Sequence, residues 1–402
     1  MKGIAPIIDM SLRKLVWPLA TEEFLSNYFG QKIHISHGGV GRLDWLRSII
    51  GDFDVASLLR VSGAKKVIAW FDDRNENHRV EMVDLLAALD LYERGATLYF
   101  HLGPHLKSDG WHTNICEELG VPVCGQVSII ATKNGRGIRP HFDANDNVTI
   151  QLRGGKTWRI SENETLKYPT KNWVPSGFIH NDLRSSTTDC IEHITPNNLQ
   201  SFNLLPGSVL YLPRGFWHGT DVCEEVSISL NLLFPAFTWI DLLTQQLRHR
   251  LLSSECWRKS ACGIFKETKE IEQVVAEFKL LINELKVCIN NIKAEDIVPR
   301  INRDWDDRVI RGDSLISRCS LARWRIHNVH SENSVVVVFT SAVGFESQKI
   351  FRCDMIDILR KIDAITTSLS FNDLCRSQSS IASRRMRRFL RNLWLVGFIN
   401  VC

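Results

Sequence analysis

The sequence predicts a mainly β core over residues 1–238, a helical region over 239–298 and an α+β module over 299–402. Three observations carry this. Short strand-type runs punctuated by Gly, Pro, Asn and Asp fill the stretch from Val123 to Phe234. After Pro235 the apolar spacing lengthens to three and four residues over Trp239–Leu252 and Ile271–Ile292, the period of amphipathic helices. Strand-type runs then return at Arg323–Val329 and Ser334–Thr340, ahead of helical spacing at Met355–Ile362 and Ile381–Leu395.

Taken in order, Phe24–Gly39 reads as a helix end running into a short strand, with His34 at the strand end and His37 in a turn. Leu43–Leu59 has helical spacing, Ala64–Phe71 is a β-branched strand run, Val80–Tyr92 is spaced as an amphipathic helix, and Ala96–Leu102 is a strand. The stretch His101–His112 holds three histidines and one aspartate, but Gly103-Pro104 and Asp109-Gly110 mark turns, so it reads as a loop. Val123–Thr132 is a strand, and Lys133–Gly137 a turn at the mouth of a barrel.

The next segment carries the chemistry. In His141-Phe142-Asp143, side chains alternate with period two, so the imidazole and the carboxylate share one face of a strand. Asn147–Ile160 reads as strand, Gly-Gly turn and strand, a hairpin with Lys156 just past the turn. Leu205–Pro213 is a turn and a short apolar strand that delivers Trp217-His218 to a rim, and His218 is the candidate third ligand. Two neutral imidazoles and one carboxylate make a facial set with three open positions, suited to non-haem Fe(II) and O2 chemistry. Val226–Phe234 alternates polar and apolar, and a closed antiparallel barrel would turn its polar set, Ser229 and Asn231 included, towards the metal. Ser229 is equally readable as a structural serine, and Lys156 as the cap of an exposed hairpin. Glu162–Asn198 is a long insertion between the two halves of the motif, and Tyr168, Trp173 and Phe178 argue that it is ordered.

Composition bounds the rest. At 402 residues, 44% hydrophobic and 23% charged, the chain is ordinary globular protein, and a net charge of +4 does not by itself argue for nucleic acid. Eleven scattered cysteines, an odd number with no C-x-x-C pair, fit reduced thiols, with Cys116 and Cys124 read as packing residues. Asp9, Arg13 and Lys14 interrupt the N-terminal apolar residues, so no secretory leader and no membrane span is expected, and the expected location is cytoplasmic.

The run His141–Ile160 together with P-G-x-x-x-Y-L-P-x-G-x-W-H from Pro206 to His218 resembles the JmjC-type oxygenases of the cupin superfamily, most of all the ribosomal oxygenases. The resemblance implies a double-stranded β-helix (jelly-roll, cupin) core, Fe(II) held by His141, Asp143 and His218, O2, and 2-oxoglutarate with its distal carboxylate on Lys156. Asn147 and Asn231 match polar positions beside the cosubstrate. A buried second carboxylate would be costly unpaired, which gives Lys156 its physical reason. The resemblance further implies a helical dimerisation region, hence a homodimer, and a winged-helix-like C-terminal domain. There Arg384, Arg385, Arg387, Arg388 and Arg391 form a basic helix face, which leaves nucleic-acid contact as a less favoured reading. Family members hydroxylate arginine or histidine in ribosomal proteins, so the expected reaction is hydroxylation of a protein or peptide side chain. The same site leaves N-methyl demethylation, a precursor peptide, a small metabolite, or a non-catalytic binding module open.

Overall fold

Alternation decides the architecture of the first part of the chain. In the strand Val226–Pro235, Ile228, Leu230, Leu232 and Phe234 enter an apolar core, whereas Ser227, Ser229 and Asn231 lie on the opposite face, and both sets are buried. A strand buried on both faces must lie between two layers. The computed structural model describes residues 12–72, 78–103, 111–121, 126–133, 137–175, 177–187, 195–222, 225–262, 269–292, 315–318, 323–331, 334–340, 346–365, 369–376, 386–387, 389–390, 393 and 399–401. The chain divides into two units, Met1–Ala236 and Phe237–Cys402.

The described strands of the first unit are β1 (His34–Ser36), β2 (Val67–Asp72), β3 (His78–Val83), β4 (Thr97–His101), β5 (Gln126–Lys133), β6 (Gly137–His141), β7 (Asn145–Arg153), β8 (Lys156–Ser161), β9 (Gln200–Leu204), β10 (Val209–Leu212), β11 (Trp217–Val222) and β12 (Val226–Pro235). They form an eight-stranded sheet, β1-β10-β7-β12-β5-β4-β2-β3, and a four-stranded sheet, β6-β11-β8-β9, antiparallel throughout. This is a jelly-roll arrangement. Trp158, Ile160 and Leu204 of the small sheet meet Leu210 and Leu212 of the large one, so the sheets face each other. The large sheet's other face is covered by helices, whose Leu12, Phe24, Leu46, Leu58, Ala88 and Trp111 join Ile129, Ile150 and Leu230 in one cluster.

Several sequence expectations change here. Asn145–Ser161 is not a hairpin, because β7 pairs with β10 and β12 while β8 pairs with β9 and β11. The Gly-Gly turn is a corner that carries the chain from one sheet to the other. Gly154 has φ +64, and a Cβ there would sit 1.7 Å from the carbonyl oxygen of Val226, so only glycine fits. Val80–Tyr92 is strand up to Val83 and helix from Leu85, with Asp84 between them accepting from the Ala87 N–H as an N-cap. Leu43–Leu59 is likewise two helices, Asp44–Ile50 and Val55–Ser62, divided by Gly51 (φ +75) and the N-cap Asp54. His112 lies not in a loop but in the helix Trp111–Leu119, buried and stacked on Phe234; residues 104–110 are outside those described.

The described part of the 162–198 insertion is ordered. Leu166, Trp173, Ile179 and Leu183 bury themselves against Phe142 and Trp217, while Tyr168 and Phe178 are exposed. In the second unit, helices Trp239–Leu251, Glu255–Arg258 and Lys269–Asn290 occupy the expected helical region, and Trp257 meets Phe278 edge-on. Beyond them are a three-stranded sheet, Arg323–Ser331, Ser334–Thr340 and Glu346–Arg352, and the helices Cys353–Asp363 and Phe371–Arg376, with Val337, Phe339, Ile358, Leu359 and Leu390 in their core. The strand Glu346–Arg352 has no apolar alternation to announce it. Of the arginine face, Arg384, Arg385, Arg388 and Arg391 lie outside the described residues, and Arg387 sits over the Phe371 ring. Among the described residues no helix is long and apolar enough to cross a membrane.

Candidate metal centre

His141 ends β6 and His218 lies opposite it on β11, so the ladder between these two strands sets the two imidazoles side by side, ring centroids 4.1 Å apart. Alternation sends Phe142 and Trp217 to the other side, where their rings meet edge-on at 5.0 Å and Trp173 packs on both. Phe142 and Trp173 also exchange two backbone hydrogen bonds, each 3.0 Å. The residue between the first two candidate ligands is thus clamped, and Asp143 follows it back to the inner side. The Gly215 N–H donates to the Asp143 carbonyl at 2.8 Å, tying the loop before His218 to the same point.

The ligand atoms of His141, Asp143 and His218 all lie within 4.8 Å of one another, and His218 Nε2 is 3.6 Å from Asp143 Oδ2. Each imidazole has its Nδ1 against a backbone carbonyl, His141 at 2.7 Å from Arg139 O and His218 at 3.0 Å from Phe216 O. A carbonyl only accepts, so Nδ1 carries the proton and Nε2 presents its lone pair. Burial, with His141 beside it, pushes His218 down to about 4, against the opposing effects of Asp143 and of the Phe216 carbonyl. The ring is therefore neutral near pH 7, as a ligand must be. Two imidazole nitrogens and one carboxylate fit a divalent first-row metal.

Along β8, Lys156, Trp158 and Ile160 are buried and face inward, and Trp158 stacks on the His218 ring at 5.8 Å and 23°. Lys156 pairs in register with Val222, four residues along β11 from His218, or roughly 13 Å of strand. It is 2% exposed, which removes the exposed-hairpin reading, and makes no hydrogen bond or ion pair among the described residues. Desolvation lowers it to about 8. Trp158 Nε1 and Thr220 Oγ1, neighbours across the ladder, are also buried without a partner.

The large sheet supplies the facing wall. Thr149 Oγ1 donates to Asn231 Oδ1 at 2.7 Å, Asn231 Nδ2 reaches Ser229 Oγ at 3.4 Å, and Gln151 Nε2 donates to Ser227 Oγ at 2.9 Å. Asn231 and Ser229 are therefore bonded to their own sheet, whereas Asn147 Oδ1 is buried with no partner. Two residues escaped the sequence reading. Tyr99 on β4 has its phenol raised by burial and by the charge of Asp143, which places it towards the ligand end. Asp146, also raised by burial, accepts from Tyr211 Oη at 2.6 Å and from the Arg214 N–H at 3.4 Å, and so pins the β10–β11 loop. Period two from Lys156 could have found Trp158; nothing local marks Tyr99.

Residues 106–242 match the family model for the JmjC domain. That span contains His141, Asp143, Lys156 and His218, the residues just described. This segment is a JmjC domain. The domain's relatives include the uncharacterized protein YxbC of Bacillus subtilis, 27% identical over 64% of this chain and 81% of that protein. Ribosomal oxygenase 2 of Bos taurus is 26% identical over 56% of this chain, which spans 48% of that relative's length. Among solved structures, YcfD, a ribosomal oxygenase from Escherichia coli determined with cobalt and succinic acid, covers 96% of this chain and 98% of its own at a TM-score of 0.43 and 13% identity.

Proposed function

We propose that this JmjC domain is an Fe(II)- and 2-oxoglutarate-dependent oxygenase that hydroxylates an arginine or histidine side chain of a protein or peptide. One observation carries the reading: a His, Asp, His donor set shares the face of one sheet with a buried lysine that has no counter-charge. His141, Asp143 and His218 would hold the metal, and Lys156 the far carboxylate of the cosubstrate. Iron, O2 and 2-oxoglutarate would supply the oxidising power to place one oxygen on a C–H bond, with succinate and CO2 as co-products.

The chain's own part is positioning. The Nδ1 contacts to Arg139 O and Phe216 O fix both rings and direct Nε2 inward. Asp143 contributes the negative charge of the set. A protonated Lys156 stripped of water is destabilised, and a carboxylate beside it restores the ordinary balance, so cosubstrate binding is strongest where the ammonium is charged. Trp158 closes the space between Lys156 and His218, and the Phe142–Trp173–Trp217 cluster seals the outer side against water.

The helical region supports a homodimer. Trp239, Ile240, Leu280 and Val287 are exposed on helices Trp239–Leu251 and Lys269–Asn290, a sizeable apolar surface for one chain to leave uncovered. Light scattering on the full chain checks this.

The oxygenase reading is tested by calorimetric titration of 2-oxoglutarate into the metal-loaded protein and by succinate release with ascorbate present, with His141→Ala as control. Intact-mass analysis of client peptides then separates a gain of one oxygen from loss of a methyl group. Wild-type protein that holds metal yet binds no 2-oxoglutarate sinks the proposal.

A further inference from the structure

Two of the three candidate ligands stand on paired strands and the third does not. His141 ends β6 and His218 lies on β11, and the ladder between those strands orients both, whereas Asp143 falls in the gap between β6 and β7. The direction of its side chain must be set by other means. Two peptide planes meet at the Asp143 Cα, and the torsions φ and ψ that relate them decide where the carboxylate points.

Hydrogen bonds hold both planes. The one before Asp143 is held at the Phe142 carbonyl, which accepts from the Trp173 N–H at 3.0 Å. The one after it is held at both ends: the Asp143 carbonyl accepts from the Gly215 N–H at 2.8 Å, and the Ala144 N–H donates to Asn172 Oδ1 at 2.7 Å. Two of these three bonds come from consecutive residues of the 162–198 insertion. The third leans on the insertion as well, because a Cβ on Gly215 would sit 2.7 Å from Pro169 Cδ and the Arg214 guanidinium lies 5.5 Å above the Tyr168 ring. Trp173 is itself anchored, buried with Leu166, Ile179 and Leu183 against Phe142 and Trp217. Asn172 is exposed. Water could satisfy the Ala144 N–H in its absence, so the bond adds little to folding stability. What it adds is restriction, since water would follow the peptide plane into any orientation and Asn172 Oδ1 meets it in one.

We propose that Asn172 is a positioning residue for the metal centre, and that the insertion carrying it is a brace that fixes the Asp143 carboxylate against His141 and His218. The sheet orients the two imidazoles; the insertion does for the carboxylate what no strand does. Resting on the reading of these three side chains as a metal centre, the brace needs neither cosubstrate nor turnover. Its effect is on the geometry and affinity of metal binding, and only through them on any reaction.

The test is titration of Co(II) into metal-free full-length protein, read by calorimetry and by the d–d absorption of the bound ion, for the wild type, Asn172→Ala and Asn172→Asp. The absorption band reports the arrangement of the donors, which a change in folding stability alone does not move. Loss of a group that orients a ligand lowers metal affinity by about 10–100-fold. The expected result for Asn172→Ala is Co(II) binding weakened by at least about tenfold and an altered band, with the metal-free protein unfolding at the wild-type midpoint. Asn172→Asp keeps an acceptor oxygen for the Ala144 N–H and should return the wild-type band. The band decides this case, because the added charge attracts a cation whether or not the bond forms. Asn172→Ala with wild-type affinity and band, or Asn172→Asp with the band of Asn172→Ala, would overturn the brace while leaving the metal centre intact. A wild type that takes up no Co(II) sinks the metal centre itself, and the brace with it.

Discussion

The two walls of the jelly roll divide the work differently. On the large sheet, the polar residues facing inward are mostly bonded to one another: Thr149 to Asn231, Asn231 to Ser229 and Gln151 to Ser227. On the small sheet the corresponding groups are held in place from behind and left open in front. His141 and His218 use Nδ1 on the backbone and present Nε2, Lys156 has no counter-charge, and Trp158 Nε1 and Thr220 Oγ1 have no partner. The first pattern stabilises a polar interior; the second makes a site, because each open group carries an unmet cost that a ligand can remove. The large sheet has unpaired atoms of its own on this face, Asn147 Oδ1, Gln151 Oε1, Ser128 Oγ and Thr132 Oγ1, so the contrast is one of degree.

The strongest way to break this contrast is at the ligands. His218→Ala removes one of the three donors, and we expect loss of detectable 2-oxoglutarate turnover and of stoichiometric Fe(II) binding, with thermal stability held near the wild type. Stable metal binding in that variant would mean that the three residues do not form the centre. Behind the ligands, Phe142→Ala should act the other way round. The ring is fully buried against Trp173 and Trp217, so its removal costs about 3–5 kcal/mol of folding stability, read by denaturant titration.

That division explains what the sequence could and could not tell. That His141, Asp143 and His218 converge was legible, because period two is a local fact for the first pair and a turn, a short strand and Trp-His stand together at the third. The hairpin was misread because Gly-Gly looks the same whether the chain folds back on its own sheet or crosses to another; what separates the cases is the approach of Gly154 to Val226, more than seventy residues on. The helix at Val80–Tyr92 failed for a nearer reason. Four strand residues and eight helical ones share an apolar pattern across Asp84, and the pairing with β2 and the Asp84 cap divide them. Tyr99 and Asp146 owe their place to tertiary neighbours alone.

Lys156 sharpens the contrast through pH. Its folded-state value of about 8 lies below the ordinary 10.5, so between those limits the unfolded chain binds more protons than the fold, and stability rises with pH across that window. Below about 8 the full destabilisation is present, on the order of 3 kcal/mol. Lys156→Met should therefore be more stable than the wild type at pH 7 by up to that amount, lose the rise between pH 8 and 10.5, and bind 2-oxoglutarate at least a hundredfold more weakly. In the wild type, 2-oxoglutarate affinity should fall as pH rises through about 8, because the free protein then loses the proton that the bound carboxylate needs. A flat affinity profile across that value would detach Lys156 from the cosubstrate.

The smallest effect belongs to the supporting wall. Thr149→Val keeps the shape of the side chain and removes the donor to Asn231 Oδ1, leaving a buried acceptor unpaired, which costs about 1–3 kcal/mol. Because that bond closes within the large sheet, the loss should show in the denaturation midpoint and leave Fe(II) stoichiometry unchanged. If instead Thr149→Val folds with wild-type stability and loses 2-oxoglutarate binding, the Thr149–Asn231 pair belongs to the ligand and not to the sheet. The large sheet would then line the site as actively as the small one does.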